Sequence, residues 1–152
     1  VKAICVTAYD RPDLLRRMLA CLSTNNLEGW RVFFSVEPSS RLREVTQIIN
    51  GWMEGAQIRL NIQRLGPDKN IRTVIEDAWK EGADFITYYP DDVLISPDSL
   101  DLAEWFRMLP AREDYMALWH FNYESDPSVP FEVHESHGEG ARLARGFASP
   151  FY

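Results

Sequence analysis

The sequence predicts an α/β fold, an α/β/α sandwich whose central sheet is mostly parallel and gains antiparallel strands near the C-terminal end. Three observations predict it. Strand-like and helix-like segments alternate through the first two thirds of the 152 residues. The helix-like segments carry apolar residues at helical spacing, and most of the strand-like ones are short, largely apolar runs, as expected of parallel strands covered on both faces.

"KAICVTAY" is rich in small and β-branched residues and forms the first strand. Asp10 then stands where an N-cap belongs, Pro12 falls in a first turn, and Leu14, Leu15, Met18, Leu19 and Leu22 recur at helical spacing. "RVFFSV" is the second strand; Ser39 and Ser40 introduce a helix with Leu42, Val45, Ile48, Ile49 and Trp52 on one face. "AQIRLNIQ" alternates, which suits a half-exposed strand near the sheet edge, and "RLGPD" leads into a helix striped by Ile71, Val74, Ile75, Ala78 and Trp79. "DFITYY" is the fourth strand, and Ser96 with Pro97 opens a helix whose Leu102, Trp105, Phe106 and Leu109 share a face. Beyond it the rhythm breaks: "YMALWHFNY" and "FEVHES" read as strands, and "HGEGARLARG" as a glycine-containing loop.

The composition, 45% hydrophobic and 12% aromatic, suffices for one core, so a single domain over residues 1–152 is expected. A net charge of -7 repels phosphate backbones and argues against nucleic acid or an anionic membrane as the main partner. No apolar run approaches the ~18 residues of a membrane span and no signal peptide is visible, so a soluble, cytoplasmic protein is expected. Cys5 and Cys21 lie in apolar patterns and read as buried, reduced thiols without metal-ligand spacing. Trp52, Trp79 and Trp105 fall on helix stripes and read as core, whereas Trp30, ahead of a strand, is a weak candidate for stacking on a sugar. His120, between Trp119 and Phe121, reads as a core histidine.

Ligands of open parallel sheets bind beyond the carboxyl ends of the strands. This sequence places Thr7, Ala8, Tyr9, Asp10 and Arg11 after the first strand, Glu37 after the second, and Arg64 to Asp68 with Asn70 and Arg72 after the third. Adjacent carboxylates, Asp91 and Asp92, follow the fourth. Two like charges side by side repel unless a cation lies near them. Neither a GxGxxG nor a GxxxxGK[ST] pattern occurs, which counts against dinucleotide-binding oxidoreductases and P-loop nucleotidases. A phosphoryl-accepting receiver domain carries its acids at the first strand, and a nucleotidyltransferase has a glycine-rich loop where this chain has "TAYDRP".

With these residues in order, the first 110 or so resemble the nucleotide-sugar-binding half of the GT-A glycosyltransferases, a Rossmann-type fold, particularly the family 2 enzymes and protein N-acetylglucosaminyltransferase I. "VTAYDRPDLLRRML" resembles the first strand, donor loop and helix; "FFSVEPSS" resembles the second strand with its acidic end. "GPDKNIRTVIEDAWKEGADFITYYPDDVLISPDSL" resembles the segment through the acidic metal motif, with Pro90 where a third carboxylate is usual. The resemblance implies residues 1–110 as the nucleotide-sugar part, and 111–152 as a short acceptor-side part. It also implies a metal-dependent glycosyltransferase that moves a sugar from a nucleoside diphosphate sugar, a UDP-sugar, to an acceptor that is a glycan, protein or small molecule. Mn²⁺ or Mg²⁺ would be held by Asp92 with Asp91, the latter turned toward ribose or a metal-bound water. Arg11 would bind a phosphate oxygen, Glu37 the base or ribose, and Arg72 would assist the diphosphate. Thr7, Ala8, Tyr9 and Asn70 complete the donor site.

The proton acceptor would come from beyond the acidic motif, where Glu135 and Glu139 are the base candidates beside Glu132, His134 and His137. Other readings stand beside these. Asp91 and Asp92 equally suit caps of the turn before Ser96, Arg11 a solvated first-turn residue and Glu37 a turn residue. The alternative to the enzyme is a non-catalytic domain that keeps the fold and binds nucleotide sugars, or serves a structural role.

Overall fold

The structure is a computed structural model that describes residues 1–108 of the 152. The expected antiparallel strands, His120, Glu132, His134, Glu135, His137 and Glu139 lie outside the described residues. The chain divides into two compact units, Val1–Leu100 and Asp101–Tyr152.

Four strands and four helices alternate: β1 (Lys2–Ala8), α1 (Pro12–Leu22), β2 (Trp30–Val36), α2 (Leu42–Trp52), β3 (Gln57–Leu60), α3 (Pro67–Lys80), β4 (Phe85–Pro90) and α4 (Ser99–Met108). The strands form one parallel sheet in the order β3-β2-β1-β4. β1 and β2 are therefore inner strands. That position explains their sequences: Ala3 to Val6 and Val32 to Val36 are buried without alternation because helices cover both faces. β3 lies at the edge, as its alternating pattern predicts.

One face of the sheet packs Ala3, Cys5 and Phe33 against Val74 and Ala78 of α3, with Ile75, Ile86 and Tyr88 partly buried beside them. Small residues at Ala3, Ala78 and Ala83 let the helix approach closely, and the Cys5 thiol donates to the Val74 carbonyl at 3.6 Å. On the other face Phe34 meets the edge of Trp52 at 6.1 Å, and the Trp52 indole N–H donates to Ser23 Oγ at 2.7 Å. Burying each large apolar side chain is worth about 1.5–3 kcal/mol, so Phe33 and Phe34, one on each face, tie both helical layers to β2.

Several helix starts and faces differ from the sequence pattern. α1 has Arg11, not Asp10, at its N-cap, with no side-chain cap bond, because Pro12 sets the helix start one residue later. α2 begins at Leu42; Ser39 instead makes the preceding turn, its hydroxyl accepting the Arg41 N–H at 3.2 Å. α4 begins at Ser99, after a turn in which the Ser99 N–H bonds to the Ser96 carbonyl at 3.1 Å. Ser96 therefore does not cap it. Trp79 is 67% exposed and Trp105 54%, so neither is core. For Trp79 the reason is the tight helix–sheet approach: Asn70, Val74 and Ala78 take the buried stripe, and an indole one residue on is turned away. Trp30 is 7% exposed, packed at 6.0 Å from Phe85 with the Lys2 ammonium over its ring, so it offers no face to a sugar. Cys21 is half-buried rather than buried.

Candidate functional site

The strand register brings the site together. Ala8 pairs with Val36, Val36 with Leu60, and Thr7 with Pro90. The next residues, Tyr9, Glu37, Asn61 and Asp91, therefore emerge along one rim, and two more ladder bonds, Glu37 N–H to Ala8 and Asn61 N–H to Val36, carry the sheet just past the strand ends.

At the β1/β4 end, Arg11 answers the repulsion between the two carboxylates. Its Nη2 lies 2.5 Å from Asp91 Oδ1 and its Nη1 2.6 Å from Asp92 Oδ2, so one guanidinium fork spans both side chains. Asp91 turns inward. It is 2% exposed, and its Oδ2 accepts the Tyr9 N–H at 3.0 Å. Burial pushes its carboxyl above the usual aspartate range, opposed by the Tyr9 N–H and by Arg11. Burial also works against the Arg11 charge, but Asp91 and Asp92 outweigh it and hold the guanidinium more firmly protonated. Asp92 is exposed, and only its Oδ2 is engaged among the described residues.

At the β2 end, Glu37 is buried and organises the neighbouring loop. Its Oε1 accepts the Leu65 and Gly66 N–H groups at 3.1 and 3.0 Å, and its Oε2 accepts Leu65 N–H at 2.9 Å. The carboxylate thus fixes the segment that leads into α3. Gly66, the N-cap of α3, has φ 82° and ψ 165°, a conformation restricted to glycine, and Pro67 follows as the first helical residue. From the same loop the Arg64 guanidinium stacks 4.6 Å above the centre of the Tyr9 ring.

These groups surround an open cleft of about 340 Å³ lined by Thr7, Ala8, Tyr9, Asp10, Arg11, Glu37, Arg64, Gly66, Pro67, Asn70 and Asp91. Of the residues expected from the sequence, Thr7, Ala8, Tyr9, Arg11, Glu37, Asn70 and Asp91 are brought together there. Asp92 is attached to the group through Arg11. Arg72, exposed on α3, does not line the cleft, and the base candidates Glu135 and Glu139 are outside the described residues. Asn70 has a second occupation: with Ser35 and Asn61 it forms a buried network, Ser35 Oγ donating to Asn70 Oδ1 at 2.5 Å and Asn61 Nδ2 reaching both partners at 3.1 and 2.9 Å. Thr7 shares a hydroxyl bond of 2.7 Å with Tyr88, whose phenol burial pushes up to about 12.

Ser35 and Asn61 carry no individual sequence signal for these roles; Arg64 stands among the strand-end residues in the sequence, though its stacking on Tyr9 is not legible there. Ser35 inside the apolar run "RVFFSV" was the nearest to one, since a hydroxyl in an inner strand must find a partner.

A hard divalent cation of the Mg²⁺ or Mn²⁺ kind binds through one or two carboxylates and completes its shell with water and substrate phosphates. Asp92 fits that demand, being exposed with Oδ1 unengaged among the described residues. Asp91 fits less well, since both its oxygens are taken by Tyr9 and Arg11. Among the described residues no three His, Cys, Asp or Glu side chains form a metal cluster, so the pair would act with the substrate's own oxygens rather than as an all-protein cage. No helix among them is long and apolar enough to cross a membrane.

Comparison with solved structures places this arrangement in a known fold. The chain is similar to S. aureus TarS, with TM-score 0.58 and 14% identity over 69% of this chain and 19% of that one. Residues 1–349 of TarS in complex with UDP match with TM-score 0.59 and 14% identity over 74% of this chain and 32% of the other. The complex with UDP-GlcNAc matches with TM-score 0.59 and 14% identity over 74% and 31%. The chain thus spans at most about a third of the length of these structures. The fold is GT-A-like, a Rossmann-type α/β sandwich with a parallel sheet. No protein-family model and no curated protein matches the sequence.

Proposed function

We propose that the protein is a metal-dependent glycosyltransferase that takes a sugar from a UDP-sugar. One observation carries the reading: in a GT-A-like fold, Tyr9, Arg11, Glu37 and Asp91 line one cleft beyond the ends of β1, β2 and β4, with Asp92 joined to it through Arg11. The cleft size suits part of a nucleotide sugar. In transfer, the bond between the anomeric carbon and the diphosphate oxygen breaks as a bond to the acceptor hydroxyl forms, and the hydroxyl proton passes to a base. Bound Mn²⁺ or Mg²⁺ would supply positive charge to the leaving diphosphate, with Asp92 its ligand.

The chain's own residues do the rest. Arg11, whose Nη1 and Nη2 pair with Asp92 and Asp91, would turn N–H donors to diphosphate oxygens on giving up Asp92. Asp91 stays inward and keeps the β1 loop in place through the Tyr9 N–H. Glu37 holds the Leu65–Gly66 backbone as one wall, and the Tyr9 ring with Arg64 forms another surface against which a planar base can lie. The alternative, a nucleotide-sugar binder without turnover, shares the cleft but needs no base. Calorimetric titration with UDP and UDP-GlcNAc in Mn²⁺ and in EDTA tests the metal-dependent reading, and a donor-hydrolysis assay separates enzyme from binder. Equal affinity in Mn²⁺ and EDTA would remove the metal from the proposal.

A further inference from the structure

We propose that Arg11 is an internal counter-cation for the acid pair, displaced from Asp92 when metal and diphosphate bind, so that each ligand strengthens the binding of the other. The inference rests on the reading of the cleft as a nucleotide-sugar site. Its basis is the asymmetry of the two ion pairs. Arg11 holds Asp91 at 2.5 Å and Asp92 at 2.6 Å, yet Asp91 is buried and also held by the Tyr9 N–H, whereas Asp92 is 38% and Arg11 43% exposed. The Arg11–Asp92 bond can therefore open by side-chain rotation alone, while Asp91 stays fixed.

A divalent cation arriving alone must compete with Arg11 for Asp92 and then sits beside a displaced positive charge. A diphosphate arriving alone meets Arg11 already committed to two carboxylates. Together they exchange partners: the guanidinium passes to phosphate oxygens and Asp92 passes to the metal. Both ligands favour the same state, with Arg11 off Asp92, and linkage makes their coupling positive and reciprocal. If Arg11 were only a phosphate donor, its removal would weaken the nucleotide and leave the metal alone nearly unaffected.

The experiment measures Mn²⁺ binding by electron paramagnetic resonance, with and without UDP, on wild type, Arg11→Met and Arg64→Met. The last removes a cleft cation that pairs with neither acid. Arg11→Met should bind Mn²⁺ alone about tenfold tighter than wild type and gain much less from added UDP. For Mn²⁺ alone, Arg64→Met should stay within about twofold of wild type, because an exposed charge off the acid pair is screened by solvent; only the metal-alone arm serves as the control, since Arg64 lines the cleft. Arg11→Lys serves if Arg11→Met does not fold: one ammonium cannot span both carboxylates as the fork does, so a smaller tightening, about threefold, is expected. Wild type that binds Mn²⁺ with UDP, together with an Arg11 variant that binds Mn²⁺ alone no tighter, overturns this inference and leaves the proposed function standing. Equal tightening in Arg64→Met overturns it as well, since general electrostatics would then explain both. No Mn²⁺ binding to any variant, even with UDP, overturns the metal-dependent reading and the inference with it.

Discussion

Asp91 and Asp92 are neighbours in sequence with opposite circumstances, and substitutions should separate them. Asp92→Asn removes one exposed ion pair, so the metal-free protein should keep its stability to within about 0.5 kcal/mol. Mn²⁺-dependent UDP binding should be lost. Urea melts and UDP titrations on the same sample check both. Arg11→Ala has a different cost. It strips the charge partner from a carboxylate that is 2% exposed, and a loss of about 1–2 kcal/mol is expected in urea melts at neutral pH, lower than for a fully enclosed pair because water reaches Arg11. An unchanged midpoint would show that Asp91 is adequately served by the Tyr9 N–H alone. The sequence makes the repulsion between the two acids legible, and with it the need for a cation. That Arg11 is such a cation is not legible, because the contact joins residues 80 and 81 positions apart. Asn70 shows the converse: its place at the strand-end rim is readable, while its bonds to Ser35 and Asn61 depend on how closely α3 approaches β2.

Among elements, the segment between β3 and α3 depends on one side chain. Glu37 accepts three N–H contacts from Leu65 and Gly66, so Glu37→Ala would leave these donors to water and release the loop. The expected cost is about 1–3 kcal/mol, with hydrogen exchange at Leu65 and Gly66 accelerating while the amides of β1 stay protected. Loss of protection across the whole sheet would instead mean that the loop is integral to the fold. Strand and helix identities are readable because apolar periodicity follows local geometry. Helix starts are less so: Asp10 carries the right chemistry for a cap, but Pro12 places the cap at Arg11. The core assignments of Trp79 and Trp105 fail for a related reason. Periodicity identifies a face, and only packing decides how far that face extends.

Across the whole molecule, three weak acids, buried Cys5 and Tyr89 and partly buried Tyr88, predict how stability depends on alkaline pH. Tyr88 is pushed from 10.0 to about 12, chiefly by burial and despite the Thr7 bond, and Cys5 from 9.0 to about 12 by burial and then by Asp77. Tyr89 moves in the same direction, again through burial. In the unfolded chain these groups ionise earlier than in the native protein. The stabilising contribution of Cys5 and Tyr88 is therefore complete below pH 9 and is lost progressively as pH rises through about 12, and Tyr89 acts in the same direction. Tyr88→Phe should cost about 1 kcal/mol at neutral pH, because Thr7 loses a partner, and should reduce the loss between pH 10 and 12 by about 2 kcal/mol. Denaturant melts across that range measure both. Parallel steepness in mutant and wild type would show that Tyr88 is not among the responsible groups.

The strand order β3-β2-β1-β4 also has a consequence for synthesis on the ribosome. β1 leaves the exit tunnel before the other strands and gains β2 as a neighbour, but its other edge stays open until β4 arrives, with Asp91 just behind it, 80 residues after Arg11. At about 5–20 residues per second, that edge is uncovered for several seconds, lined by side chains that end fully buried at Ile4, Cys5 and Val6. Asp91 and Asp92 follow immediately behind β4. The strand that closes the sheet thus delivers both partners of Arg11, and a nascent chain arrested before residue 85 has neither a protected β1 edge nor the two carboxylates that pair with Arg11.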